Sequence, residues 1–190
     1  MEKGILETLV GVLARPRSTI RSICQQRPIG WAIIVYLVAS LVSTIVWIET
    51  GFYDLEGMGL PDVGMPTIIV GSIIFNIVIL VVFTALSHLA ASLLGGKGGY
   101  GGLFSSFGFA SLPGIFVAPL AVVGMLPMVG ALLSGLGNFG VLIWSLALYI
   151  LAVRENYLVS TGRAILILLL PTVVLLVLSG LLVGLLLLSV

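Results

Sequence analysis

Few side chains in this chain have chemistry beyond packing, and most of those fall at or next to apolar stretches. His88 is the sole histidine and follows Ser87 directly, so a hydroxyl and an imidazole are neighbours in sequence. A nucleophile and its base must meet within hydrogen-bond reach, whereas consecutive residues on a helix diverge by about 100°. With one histidine and one cysteine, Cys24, the chain has neither a His pair nor a cysteine cluster for zinc. Gly96-Lys97 has the look of a phosphate-binding loop, whose pattern is G-x-x-x-x-G-K-[ST]. Here Ala91 stands at the first glycine and Gly98 at the hydroxyl position, and an apolar helix rather than a strand precedes them. Asn76 and His88 remain as the conspicuous polar groups inside apolar runs. Ionisable or strongly polar groups at bilayer depth cost up to ~3 kcal/mol and usually face a bundle interior. They offer either a proton relay or pathway, or hydrogen bonds to neighbouring helices. Twelve positions separate them, off a shared helical line, and no apolar run holds a carboxylate at depth. Hydrogen bonding is therefore the expected role, and no catalytic residue, metal or cofactor is expected.

The elements that must position these residues are membrane helices. Hydrophobic residues make up 60% of the chain and charged ones 8%, against about a quarter charged in a typical soluble domain. Such a chain cannot cover a water-facing surface of its size. The fold expected is all-α: a polytopic bundle of five transmembrane helices with an amphipathic N-terminal helix, in one membrane domain over residues 1–190. The spans fall near 29–48, 67–94, 103–125, 128–153 and 164–190, each of about the 20 residues a bilayer core requires, or longer. Pro113 and Pro119 predict a kinked or broken third span. The fourth could begin at Met128 or after Gly135-Leu136-Gly137-Asn138, and it ends at Arg154. Residues 49–66 form an external loop, and Gly95 to Gly102 a flexible inner turn. Gly180-x-x-x-Gly184 permits close helix approach, with internal packing favoured over a homo-oligomer face.

The charges alternate along this frame. Lys3, Arg15, Arg17, Arg21 and Arg27 precede the first span, and Lys97, Arg154 and Arg163 occupy two later breaks. Glu49, Asp54, Glu56 and Asp62 share another break that has no Lys or Arg. That alternation is what the positive-inside rule produces, with the N-terminus cytoplasmic and the C-terminus outside. Residues 5–13 carry Ile5, Leu9, Val12 and Leu13 on one helical face, the pattern of a helix lying in the interface plane. Pro16 interrupts it before a second short amphipathic turn. Arg15, Arg17, Arg21 and Arg27 are thus expected to contact lipid headgroups. The segment is charged throughout and lacks the compact apolar core of a cleavable signal peptide. Cys24 is expected to be a plain thiol rather than an acylation site. No basic stretch is interleaved with aromatics, so nucleic acid is not an expected partner.

Four local patterns give the chain a resemblance to the Yip family, named for membrane proteins that interact with Ypt/Rab GTPases. Pro16-Arg17-Ser18-Thr19-Ile20-Arg21-Ser22-Ile23 resembles the family's proline, hydroxyl and apolar positions before the first span. Leu94-Gly95-Gly96-Lys97-Gly98-Gly99-Tyr100 is similar to its L-G-G-x-G turn. Gly108-Phe109-Ala110-Ser111-Leu112-Pro113 resembles the element that opens its third span. Ser160-Thr161-Gly162-Arg163-Ala164 resembles the basic-Ala entry to its last span. The resemblance implies five spans and a non-enzymatic protein, linked in eukaryotes to vesicle traffic. An Asp-Leu-Tyr-Gly-Pro motif and a long N-terminal region are missing here, which argues against a GTPase partner. The chain looks more like short prokaryotic members, which implies a prokaryotic plasma membrane.

The function expected is a membrane scaffold or adaptor that organises lipids or an unidentified partner protein from its cytoplasmic face. The alternative is a small channel or transporter with a pathway near spans two and three, beside Asn76 and His88.

Overall fold

The computed structural model describes residues 4–50 and 64–188, and every regular element among them is helical. Helix α1 covers Ile5–Ala14 and α2 covers Pro16–Gln26. Pro16 is the first residue of α2, where a missing N–H is harmless. The proline that stops one helix therefore opens the next. Helix α3 is Ile29–Glu49 and α4 is Gly64–Leu93. The next span is divided into α5, Tyr100–Ala110, a 3-10 turn at Leu112–Phe116, and α6, Val117–Gly124. Helices α7, Gly130–Tyr157, and α8, Thr161–Leu188, complete the chain. Five segments are long and apolar enough to cross a bilayer, of 21, 30, 25, 28 and 21 residues.

The third span breaks at its first proline. Pro113 is the second residue of the 3-10 turn, and the backbone there is held by Gly114 N–H donating to Ser111 O at 2.9 Å and Ser111 Oγ donating to Gly108 O at 2.7 Å. Other boundaries differ from the expected ones. The glycine-rich inner turn is shorter than its composition suggests, because Tyr100, Gly101 and Gly102 already form the first turn of α5. Gly135, Gly137 and Asn138 do not interrupt α7; they lie within it, and Leu120 of α6 seats itself against Gly137. Helix α7 also runs past Arg154 to Tyr157, and α8 starts at Thr161, so the break between them is only Leu158–Ser160. Leu158 ends α7 in the left-handed conformation, with φ 55°. Gly180 and Gly184 meet no other part of the described chain within 4 Å of where a Cβ would stand. Among the described residues, neither glycine therefore shows the close internal approach that its spacing permits. The acids of the 49–66 loop fall outside the described residues, except Glu49 at the end of α3.

Helix α5 is the centre of the bundle. Residues Gly102 to Ala110 are all buried, and α2, α3, α4 and α7 pack around them. Gly108 lies on α3 so closely that a Cβ would stand 2.5 Å from Ala32 O and 2.7 Å from Ala32 Cβ. Small residues at a crossing let two backbones approach, which is how membrane helices gain van der Waals contact where lipid removes the hydrophobic drive. Below this crossing, Phe107 meets Tyr149 of α7 with ring centroids 5.1 Å apart and Phe83 of α4 at 5.5 Å. Outward-facing positions are apolar: Leu132, Leu136, Phe139 and Leu142 on α7 and Leu166, Leu169, Val173 and Leu176 on α8 are exposed. In a soluble protein this would be an aggregation surface; in a bilayer it faces acyl chains.

Gly108→Ala should destabilise the bundle by about 1–3 kcal/mol, the usual range for overpacking. Gly71→Ala, in open space on α4, should be neutral or stabilising by up to ~1 kcal/mol through helix propensity. Thermal unfolding of both variants in one detergent gives the comparison, and equal Tm values would refute the close-packing account.

Candidate functional site at the basic end of the bundle

The segments that carry Arg15 to Arg27, Lys97, Arg154 and Arg163 gather at one end of the bundle. The last turn of α7 holds them together, with three successive side chains reaching in three directions. Glu155 Oε1 accepts from Arg17 Nε of α2 at 3.1 Å and from Arg154 Nη2 at 3.1 Å. Asn156 Nδ2 donates to Gly99 O, just ahead of α5, at 3.0 Å. Tyr157 Oη shares a hydrogen bond of 2.5 Å with His88 Nδ1 of α4. Helices α2, α4 and α5 are thus fastened to one point. The Glu155 side chain is 6% exposed, and a carboxylate so enclosed needs cationic partners. Arg17 is 75% exposed on the other side of the same pair.

The glycine turn after α4 is shaped by these contacts. Gly95, at φ +78°, ends α4 with the paired bonds of a Schellman motif: Gly96 N–H to Ala91 O at 2.8 Å and Gly95 N–H to Ser92 O at 3.1 Å. Gly96 and Gly98 lie flat on the Tyr157 ring, where a Cβ would come within 2.8 and 2.7 Å of its Cδ1. Tyr100 approaches His88 edge-on, with centroids 6.0 Å apart.

The helix expected to lie in the interface plane, α1, instead turns its stripe inward. Val12 is buried, Ile5, Leu9 and Leu13 pack against the core, and α2 is likewise enclosed. Thr19, Ile20, Ile23 and Cys24 are buried, and the helix packs on α5 and α7. An amphipathic stripe has the same spacing whether it faces acyl chains or protein. Burial pushes the Cys24 thiol up to about 11; a hydrogen bond with Ser106 opposes the shift and the Glu155 charge adds to it. Among the cations expected at headgroups, Arg15, Arg21 and Arg27 are exposed, whereas Arg17 is engaged by Glu155.

The sequence-derived candidates are thereby distributed. His88, Gly95 and Gly96 come together against Tyr157. Arg163 is exposed in the first turn of α8 at the same end. Asn76 stands apart, roughly 18 Å along α4 from His88 at 1.5 Å per residue, and donates to Ser72 O of its own helix at 2.8 Å. Pro113 belongs to the break beyond α5. Glu155, Asn156 and Tyr157 were missed because they looked like a loop. Their signal was present as a compact polar run directly after an apolar one, which is how a helix end anchored at a membrane surface reads.

Five apolar spans, one of them supplying the buried half-helix at the centre, with the described cations gathered at one end, define a polytopic α-helical integral membrane protein. The Yip1 domain model matches residues 10–183, and the chain belongs to the Yip family. No curated protein and no solved structure matches it.

Two outcomes test this end of the molecule. Because only thiolate reacts readily, alkylation of Cys24 in the folded protein should show its pH midpoint near 11, against the ordinary thiol value of about 9 in denaturing detergent. The sign for stability follows: the folded form holds its proton more tightly, so stability is constant below about 9 and declines as pH rises towards 11. Arg17→Gln, which breaks the ion pair without removing the Glu155 charge, should loosen α2 and speed Cys24 alkylation at fixed pH about fivefold, the effect of a change near 1 kcal/mol. An unchanged rate would show that this ion pair does not hold α2 in place.

Proposed function

We propose that this protein is a non-enzymatic membrane scaffold or adaptor, with its basic end on the cytoplasmic side and its N-terminus there. The observation that carries this reading is the construction of that end. Three exposed cations, Arg15, Arg21 and Arg27, are presented by a short segment whose other face is anchored in the bundle. A rigid display of positive charge beside a bilayer favours anionic lipid and acidic protein surfaces, at about 1 kcal/mol per basic side chain. His88 and Asn76 support it from the other direction. His88 Nδ1 is engaged by Tyr157 Oη and Asn76 Nδ2 donates to Ser72 O, so each side chain is tied through one polar atom to the helical frame.

Photo-crosslinkers placed at Gln25 and at Phe139 compare the basic end with the apolar flank in native membranes. Crosslinks to discrete proteins are expected from Gln25 only, and they should fall severalfold in Arg15→Glu/Arg21→Glu. Equal yields at both positions, or yields indifferent to the charge reversal, would count against a scaffold working from this face. Solute flux in proteoliposomes that disappears in Asn76→Leu would replace it with the transport reading. Deleting residues 1–28 is the wrong variant, because Ile20 and Ile23 belong to the core.

A further inference from the structure

Between α2, the glycine turn and the end of α7 lies an open cavity of about 430 Å³, lined by Arg21, Arg27, Lys97, Gly98, Gly99 and Glu155 among others. Its volume is within the range of small-ligand sites, roughly 300–1,000 Å³, and well above what one phosphate fills. The charges around it are unbalanced. Glu155 brings the one carboxylate to the cavity wall, and it is already held by Arg17 and Arg154. The side chains of Arg21, Arg27 and Lys97 have no ion-pair or hydrogen-bond partner among the described residues. The backbone N–H groups of Gly98 and Gly99 have no acceptor there either.

Arg27 has an unusual conformation. It caps α2 in the left-handed region at φ 52°, ψ 55°, its N–H bonded to Ile23 O. Glycine or asparagine is the usual residue at such a cap, and a residue with a long side chain there carries strain of about 1 kcal/mol or more. The cap itself makes no use of the guanidinium, whose contacts lie elsewhere. The side chain runs over the start of α5, with Nη2 3.3 Å from where a Gly99 Cβ would stand and Cδ 3.5 Å from that of Gly101. Glycines at those positions leave this path open, and the path delivers the guanidinium to the cavity rim.

We propose that this cavity is a binding site for a phosphate-bearing headgroup. Arg21, Arg27 and Lys97 contact the phosphate oxygens, Arg27 by the planar fork that suits them. The unpaired Gly98 and Gly99 amides add neutral donors. The inference rests on the proposed use of the basic face, and sharpens it from diffuse charge to one saturable site.

The test uses the full chain in nanodiscs of phosphatidylcholine, titrated calorimetrically with short-chain phosphatidic acid in one arm and inorganic phosphate in the other. One site per chain is expected for the lipid, weakened at least tenfold by Arg27→Gly and by Lys97→Gln, and less than threefold by Arg15→Gln outside the cavity. Arg27→Gly should leave Tm unchanged or raised, since it relieves the cap. Saturation by the lipid alone supports the headgroup site, and comparable saturation by inorganic phosphate overturns it in favour of a free-phosphate site. Absence of saturation in both arms overturns the proposal. So does an equal loss in Arg15→Gln, which would signify diffuse attraction, or unaltered binding in Lys97→Gln. Protein crosslinking from Gln25 is scored separately, so loss of headgroup binding with crosslinking intact refutes this site without refuting the scaffold reading.

Discussion

An eleven-residue helix with no lipid-facing side over most of its length places a demand on everything around it. Helix α5 buries each residue from Gly102 to Ala110, and a helix so enclosed must be wrapped by partners that leave no gap. The glycines and alanines of α5 and α3 meet that demand at one crossing, where Gly108 rests on Ala32. The aromatic rings of Phe83, Phe107 and Tyr149 meet it at another. Helix α2 closes the remaining side from outside the spans. The 3-10 turn after α5 follows from the same constraint. Beyond Ala110 the chain leaves its enclosure, and Pro113 redirects it there with Ser111 satisfying a carbonyl of the preceding turn.

The fastening at the basic end depends on this enclosure. Once α5 is fixed, the turn before it must be flat enough to lie on Tyr157, which Gly96 and Gly98 permit and a side chain would prevent. Glu155, Asn156 and Tyr157 then read three neighbours from one helix end. Each bond alone is modest. Together they determine where α2, the glycine turn and α4 stand relative to one another, and so where the exposed cations are displayed.

Much of this architecture was legible in the residues. Five apolar runs, the proline break in the third, and the clustering of cations in alternate breaks depend on composition and short-range sterics, which local sequence carries. What was not legible depends on partners. Ile20 and Ile23 show the same spacing whether they meet lipid or α5, so the burial of α2 could not be read from its pattern. Tyr100 to Gly102 look like a turn because glycine disfavours helix; packing overrides that preference, with Asn156 and Cys24 O close beside Gly102. The polar run at 154–157 looked like a loop because charge at a helix end and charge in a turn are the same letters. The distinction lies in Glu155 having a partner far away in sequence.

That partner has a consequence for how the chain is made. Arg17 and Glu155 are 138 positions apart, so during synthesis the groove that receives α2 is incomplete until nearly the whole bundle exists. Contacts of such long range form late. In the interval Ile20 and Ile23 lack the surface they finally cover, and the nearest apolar medium is the bilayer boundary, for which an amphipathic helix flanked by arginines is well suited.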